Sequence, residues 1–115
     1  VTGHSNDGVN VFRGVPYAEA PVGDLRWKPT VPKKPWASPL MATEDAPGCP
    51  QICELPPHTC PPQTAEDCLF LNVFAPENAK DAPVMLWIHG GNFKQGYPGG
   101  LLYNGTSMAK TQNVV

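Results

Sequence analysis

A chain of 115 residues with formal net charge −2 and pI near 5.8 is long enough for one small domain. Its basic residues are scattered, with only Lys33-Lys34 adjacent, which excludes a basic face for nucleic acid. The 15 prolines and 11 glycines leave few stretches able to form regular elements, and no apolar run approaches the ~20 residues that span a bilayer. A chain built this way struggles to bury enough surface alone, so it reads as a segment that packs against further sequence.

Residues 1–17 alternate loosely, and Gly8 to Arg13 reads as a strand after an Asn-Asp-Gly turn. Residues 16–48 form a Pro-rich wrap, with Trp27 and Trp36 expected to anchor it to a core. Residues 49–67 are a cysteine-bearing loop. Leu69 to Ala75 reads as a strand closed by Pro76, and Asn78-Ala79-Lys80-Asp81 as a polar turn. Val84 to Ile88 is the strongest strand signal, continuous enough to be buried on both faces of a mixed or parallel sheet. Residues 92–104 form a glycine-rich loop, Ser107 to Thr111 a helical turn, and Asn113-Val114-Val115 the start of a strand. Val1 opens a polar segment with no signal-peptide pattern.

The chemistry concentrates where the apolar run stops, at His89-Gly90-Gly91-Asn92. Glycines after a strand allow positive φ and let a ligand atom approach bare N–H groups. Gly90, Gly91 and Asn92 therefore suit an oxyanion hole, in which fixed backbone donors meet the charge formed when an ester is attacked. A tight turn that simply needs glycine is the plainer reading of the pair. The buried strand before it and His89 weigh toward the functional one. A phosphate loop needs Lys-Ser or Lys-Thr after a second glycine, and Lys94 is followed by Gln95. His89 itself, opening a glycine turn, reads as a positioned structural ring.

No nucleophile accompanies this loop. Gly3-His4-Ser5 is half of an elbow, but Asp7 stands where the second glycine is needed and no apolar strand precedes it. Ser38 and Ser107 lack the context as well. Glu66-Asp67 reads as a structural acidic pair, with Arg13 or Arg26 as the countercharge. Cys49, Cys53, Cys60 and Cys68 are an even set with spacings that miss paired zinc knuckles, so disulfides are expected and no metal. With the Asn104-Gly105-Thr106 sequon, they favour a secreted protein or one in the lumen of the secretory pathway.

Several strings together resemble one family. Phe12 to Ala18, Pro21 to Trp27, Cys49-Pro50-Gln51, Glu66 to Val73, Pro83 to Gly96, Tyr103-Asn104-Gly105 and the closing Asn113-Val114-Val115 are similar, in order and spacing, to the opening of type-B carboxylesterases and cholinesterases. The resemblance covers nearly the whole chain. It implies an α/β class and the α/β-hydrolase fold, with residues 1–115 as the amino-terminal part of a single domain, holding its first strands and covering loops with the sheet incomplete.

The same resemblance implies roles. Cys49 and Cys68 would form the family's first disulfide; Cys53 and Cys60 are extra to the family's pattern and are expected to pair within the same loop. Arg26 and Glu66 would form a structural salt bridge. Gly91 and Asn92 would donate two N–H groups to an oxyanion, while the third donor and the Ser-acid-His triad would lie beyond Val115. The implied function is serine hydrolysis of small-molecule carboxylic esters, without a cofactor, by a complete protein; the 115 residues alone would be inactive. Partners would be the ester and the remainder of the hydrolase domain.

Two departures qualify this picture. The family usually has Gly or Ala where Asn92 stands, which keeps the donor but adds polar bulk. The Cys49–Cys68 loop has no Trp, Tyr or Phe to bind choline by cation–π attraction, which argues against a cholinesterase. The alternatives are a catalytically inactive, cholinesterase-like adhesion or binding protein, as in neuroligin-like members, and a truncated product without a stable fold.

Overall fold

The computed structural model describes every residue except Pro57. Its first element is a hairpin. β1 (His4–Asn6) pairs antiparallel with β2 (Val9–Pro16), Asn6 opposite Val9, across the two-residue turn Asp7-Gly8. Both turn residues have positive φ, 51° and 79°, as the hairpin turn that matches strand twist requires. β2 then pairs antiparallel with β3 (Phe70–Pro76), giving the sheet order β1-β2-β3.

The β2–β3 ladder carries a bulge. Phe12 faces Val73 and Val15 faces Leu71, so Arg13 and Gly14 together oppose Asn72. Gly14 takes φ 67° there, and its N–H donates to Asn72 Oδ1 at 2.9 Å. The bulge redirects Arg13, whose guanidinium bonds both oxygens of Asp45 at 2.8 and 2.7 Å. Asn72 Nδ2 donates to Asp45 Oδ1 at 2.9 Å and reaches the Pro98 carbonyl at 3.4 Å. One carboxamide thus joins the bulge, the wrap and the glycine-rich loop.

α1 (Thr106–Gln112) lies on this sheet. Its Ala109 packs with Val9 and Val11, the largest fully buried side chains of the core, and with Phe74. Gly105 permits the approach, since a Cβ there would come within 2.8 Å of the Phe74 ring. Lys110 pairs with Asp7 at 2.7 Å, fastening the last turn of α1 to the hairpin, and Asn113 ends the helix in the left-handed conformation.

The wrap is held at points rather than along ladders. Thr2 and Ala42 exchange with Leu40 and Thr2 carbonyls, Arg13 N–H donates to the Ala42 carbonyl, and Glu19 N–H to that of Val31. Lys33 reaches Glu19 at 3.0 Å, and Arg26 meets Glu66 through two bonds of 2.6 Å. Of the two arginines able to balance Glu66-Asp67, Arg26 takes Glu66 and Arg13 takes Asp45. Backbone and side-chain bonds from Lys34 and Lys33 hold the Glu19 carboxyl below its ordinary 4.5, and the hydrogen bonds from Arg26 do the same for Glu66.

Two expectations are corrected. Trp27 is 97% exposed and Trp36 is 40% exposed, so neither anchors the wrap to this core. Small contacts do that work, with Ala18 and Ala42 buried in their place. Residues 84–88 form no assigned strand and are not buried: Val84, Leu86 and Ile88 are 79%, 77% and 78% exposed. A strand exists through its neighbours, and this run has one point of pairing among the described residues. Val115 N–H donates to the Pro83 carbonyl at 2.9 Å, and its carbonyl accepts from Met85 N–H at 2.7 Å. That is the spacing of a parallel bridge about Val84, closed by a right-sized crossover through α1. The expected single turn at 107–111 is longer, running over Thr106–Gln112.

Shortening Val11 to Ala removes two methylenes' worth of buried surface next to Ala109 and should cost about 2 kcal/mol, read as a lower denaturation midpoint with an unchanged slope. For the Arg26–Glu66 pair, the folded carboxyl lies below 4.5, so its contribution is complete above pH 4.5 and drains away as pH falls through the folded value. Glu66→Gln should therefore differ from the parent in urea midpoint at neutral pH, and the difference should shrink below pH 4.5.

Candidate functional site

The glycine-rich loop is closed by contacts that only glycine allows. At Gly91, with φ 136°, a Cβ would sit 1.9 Å from the Gln95 carbonyl oxygen. At Gly96, with φ 112°, it would meet the His89 ring at 2.6 Å and the Gly90 carbonyl at 2.9 Å. The Gly91 carbonyl accepts from Lys94 N–H at 3.0 Å and Gln95 N–H at 3.3 Å. His89 Nδ1 lies 2.9 Å from the Gly90 carbonyl, and its ring stacks 6.0 Å from Tyr103.

Asn92 and Phe93 continue at positive φ, 53° and 58°. Asn tolerates that conformation through its short polar side chain; for Phe it is a strained arrangement, and the Phe93 ring is fully exposed. The N–H groups of Gly90, Gly91, Asn92 and Phe93 find no acceptor among the described residues. Successive N–H groups left free across a glycine turn are the ingredients of an anion-binding concavity. A cleft of about 490 Å³ opens beside them, lined by Ile52, Glu54, Asn92, Lys94 and Gln95.

The cysteine loop forms the other wall. Cys49 is bonded to Cys68 and Cys53 to Cys60, which leaves no thiolate for a metal. Gly48 N–H donates to the Gln63 carbonyl and Ala65 N–H to that of Gly48, fixing the base of the loop. The Gln51 side chain then reaches across. Its Nε2 donates to the Gly96 carbonyl at 2.9 Å and to the Cys49 carbonyl at 3.0 Å, while its Oε1 accepts from Gly96 N–H at 2.6 Å. In return Gln95 Oε1 accepts from Glu54 N–H at 2.6 Å. Leu101 N–H donates to the His58 carbonyl at 3.2 Å, adding a third tie.

The structure thus ties the loop that carries Gly90, Gly91 and Asn92 to the disulfide loop through Gln95 and Gly96, and Asn92 shares the cleft with Ile52 and Glu54. Arg26 and Glu66 lie in the wrap as an exposed ion pair. Asn104 is exposed with its Oδ1 accepting from Thr106 N–H at 3.0 Å, and Thr106 Oγ1 is buried without a partner. Tyr97 is buried beside Asp45 and Arg13. Burial first, then the Asp45 charge, pushes its phenol above the ordinary 10.0, with Arg13 opposing. Gln51 and Gln95 carry no role in the sequence reading, because a glutamine in an irregular loop has no spacing that marks its partner.

Comparison with known proteins settles the fold and the family. The profile of the carboxylesterase family matches residues 1–115. The para-nitrobenzyl esterase of Bacillus subtilis (strain 168) is 42% identical over 118 residues, covering 100% of this chain and 24% of that protein. The acetylcholinesterase of Bungarus fasciatus is 38% identical, covering 93% of this chain and 19% of its own. Among solved structures, a thermophilic pNB esterase superposes with a TM-score of 0.85 at 40% identity, over 93% of this chain and 24% of that one. A second pNB esterase structure gives 0.86 at 42% identity, over 93% and 23%.

The chain therefore spans about a quarter or less of the length of these relatives. Its hairpin with the bulged second strand, its third strand and the exposed parallel run are the amino-terminal strands and covering loops of an α/β-hydrolase fold, with the sheet incomplete. Matched from its first residue to its last, and superposing closely on two esterase structures, the chain belongs to the carboxylesterase family.

Proposed function

We propose that the whole protein is a serine hydrolase of carboxylic esters, and that residues 1–115 are the amino-terminal part of its single catalytic domain. In this reading Gly91 and Asn92 supply two backbone N–H groups to the oxyanion of the tetrahedral intermediate, and Gly90 sets the turn. The nucleophilic Ser, its acid and His partners and the third donor come from residues beyond Val115, so the segment alone is inactive. The observation that carries the reading is the row of N–H groups without acceptors at Gly90 to Phe93, in a chain whose relatives include a para-nitrobenzyl esterase and an acetylcholinesterase.

The chemistry this reading implies is acyl transfer to a serine. Attack of a serine oxygen on the ester carbonyl moves charge to the carbonyl oxygen, and donors already fixed in place stabilise it without reorganising. The His base takes the serine proton and delivers it to the leaving alkoxide; water then repeats the sequence on the acyl-enzyme. No cofactor enters. The substrate is a small-molecule carboxylic ester, and the loop between Cys49 and Cys68, which offers no aromatic face to a quaternary cation, argues against a choline ester. The two disulfides and the Asn104 sequon support passage through the secretory pathway with a glycan on Asn104.

The test is hydrolysis of p-nitrophenyl acetate and butyrate by the full-length protein, with diethyl p-nitrophenyl phosphate as a covalent label. Turnover with one equivalent of label on a Ser outside residues 1–115 is the expected result. A folded protein that neither turns over nor takes the label is instead a member kept for binding or adhesion. Gly91→Ala drives a Cβ into the Gln95 carbonyl, displaces the donors and should lower kcat by about a hundredfold or more.

A further inference from the structure

We infer that Gln51 and Gln95 are positioning residues for the oxyanion loop, a reciprocal pair through which the disulfide loop sets where the Gly91 and Asn92 N–H groups point. The inference rests on the oxyanion reading above and goes beyond it to residues that would touch no substrate atom through these bonds.

The geometry is specific. A glutamine carboxamide has the donor and acceptor of a peptide group, and Gln51 uses both on one residue, bonding the N–H and the C=O of Gly96. Gly96 is buried and lies so near the other end of the turn that a Cβ added to it would meet the His89 ring and the Gly90 carbonyl. The position of Gly96 therefore bounds the space left to Gly90, the residue just before the proposed donors. Gln51 is itself fixed, because its Nε2 also bonds the Cys49 carbonyl beside the Cys49–Cys68 disulfide.

The second glutamine returns the contact. Gln95, whose own carbonyl packs against Gly91, accepts the Glu54 N–H from the stretch closed by Cys53–Cys60. Two side chains, one from each loop, thus lock two backbones that share no ladder. Loops without ladders are the mobile parts of a fold, and a donor displaced by a fraction of an ångström loses most of its effect on a developing charge.

The experiment uses the full-length protein and three variants: Gln51→Ala, Gln51→Glu and Gln95→Ala. Gln51→Glu keeps the size and the acceptor for Gly96 N–H but sets a carboxylate oxygen against two carbonyls. Active sites are counted with diethyl p-nitrophenyl phosphate, and kcat is expressed per labelled site. An aryl trifluoromethyl ketone reports on the oxyanion donors, since its adduct carries the same charge.

Both Gln51 variants should lose kcat by about tenfold or more while KM stays within about twofold, and the inhibition constant of the ketone should rise in step. Gln95→Ala should shift both readouts in the same direction by less, since one bond is lost rather than the three of Gln51→Ala or the two of Gln51→Glu. Full kcat per labelled site in the Gln51 variants overturns the inference and leaves the esterase reading standing. So does a loss confined to melting temperature and the number of labelled sites. A parent protein that neither hydrolyses the esters nor takes the label overturns both.

Discussion

The Asn72 carboxamide sits where three stretches of chain must meet without a shared ladder. It fills the bulge opposite Arg13 and Gly14, accepts the Gly14 N–H, and donates toward Asp45 of the wrap and Pro98 of the glycine-rich loop. Between Tyr17 and Leu69 prolines break nearly every run that could form a strand or helix, so the backbone there cannot hold itself in register. Order has to be imposed by point contacts from the one well-formed sheet. Asn72 and the redirected Arg13 are the strongest of these, because β2 and β3 fix their own positions first.

The same principle explains why this much irregular chain needs two disulfides, two glutamine clamps and several ion pairs. The exposed pairs add little stability each, since solvent screens them and two long side chains must be ordered. Their use here is placement: Arg26–Glu66 ties the wrap to the foot of the cysteine loop, and Lys33–Glu19 ties the wrap to itself. The Cys49–Cys68 bridge, closing 19 residues, contributes on the order of 3 kcal/mol by limiting the unfolded chain. The apolar side chains of 84–88 contribute nothing comparable while they face solvent. Their value is realised only when the rest of an α/β-hydrolase sheet covers them.

What could be read from the sequence follows from this division of labour. The hairpin was legible because Asp7-Gly8 between alternating residues has a local cause, and β3 because Leu69 to Ala75 is apolar and β-prone apart from Asn72 and is closed by Pro76. Trp27 and Trp36 misled, because a large aromatic in a loop is expected to be buried, while the partners able to bury them are not in these residues. Val84 to Ile88 carried the composition of a buried parallel strand, and the single parallel bridge to Val115 agrees with that direction, yet composition cannot supply neighbours. The glycines at 90, 91 and 96 announced a special backbone. The side chains that hold that backbone, Gln51 and Gln95, are 44 residues apart; both fall inside strings that carry the family resemblance, but nothing in those strings marks one as the other loop's partner.

A site made of backbone donors has a consequence for how a long domain can be assembled. Side-chain catalysts must be brought together by tertiary structure, since each depends on the fold for its aim. Peptide N–H groups are aimed by local φ and ψ, and at Gly91, Asn92 and Gly96 those angles are set by contacts within a dozen residues plus one clamp from the cysteine loop. The first quarter of such a domain can therefore carry a nearly finished half of the proposed oxyanion site before the nucleophile exists in space. Asn92 fits that logic. A residue with a Cβ at φ 53° costs about 1 kcal/mol in most cases, and asparagine is among the side chains that bear it best. The position keeps its backbone aim and gains a polar side chain on the rim of the cleft.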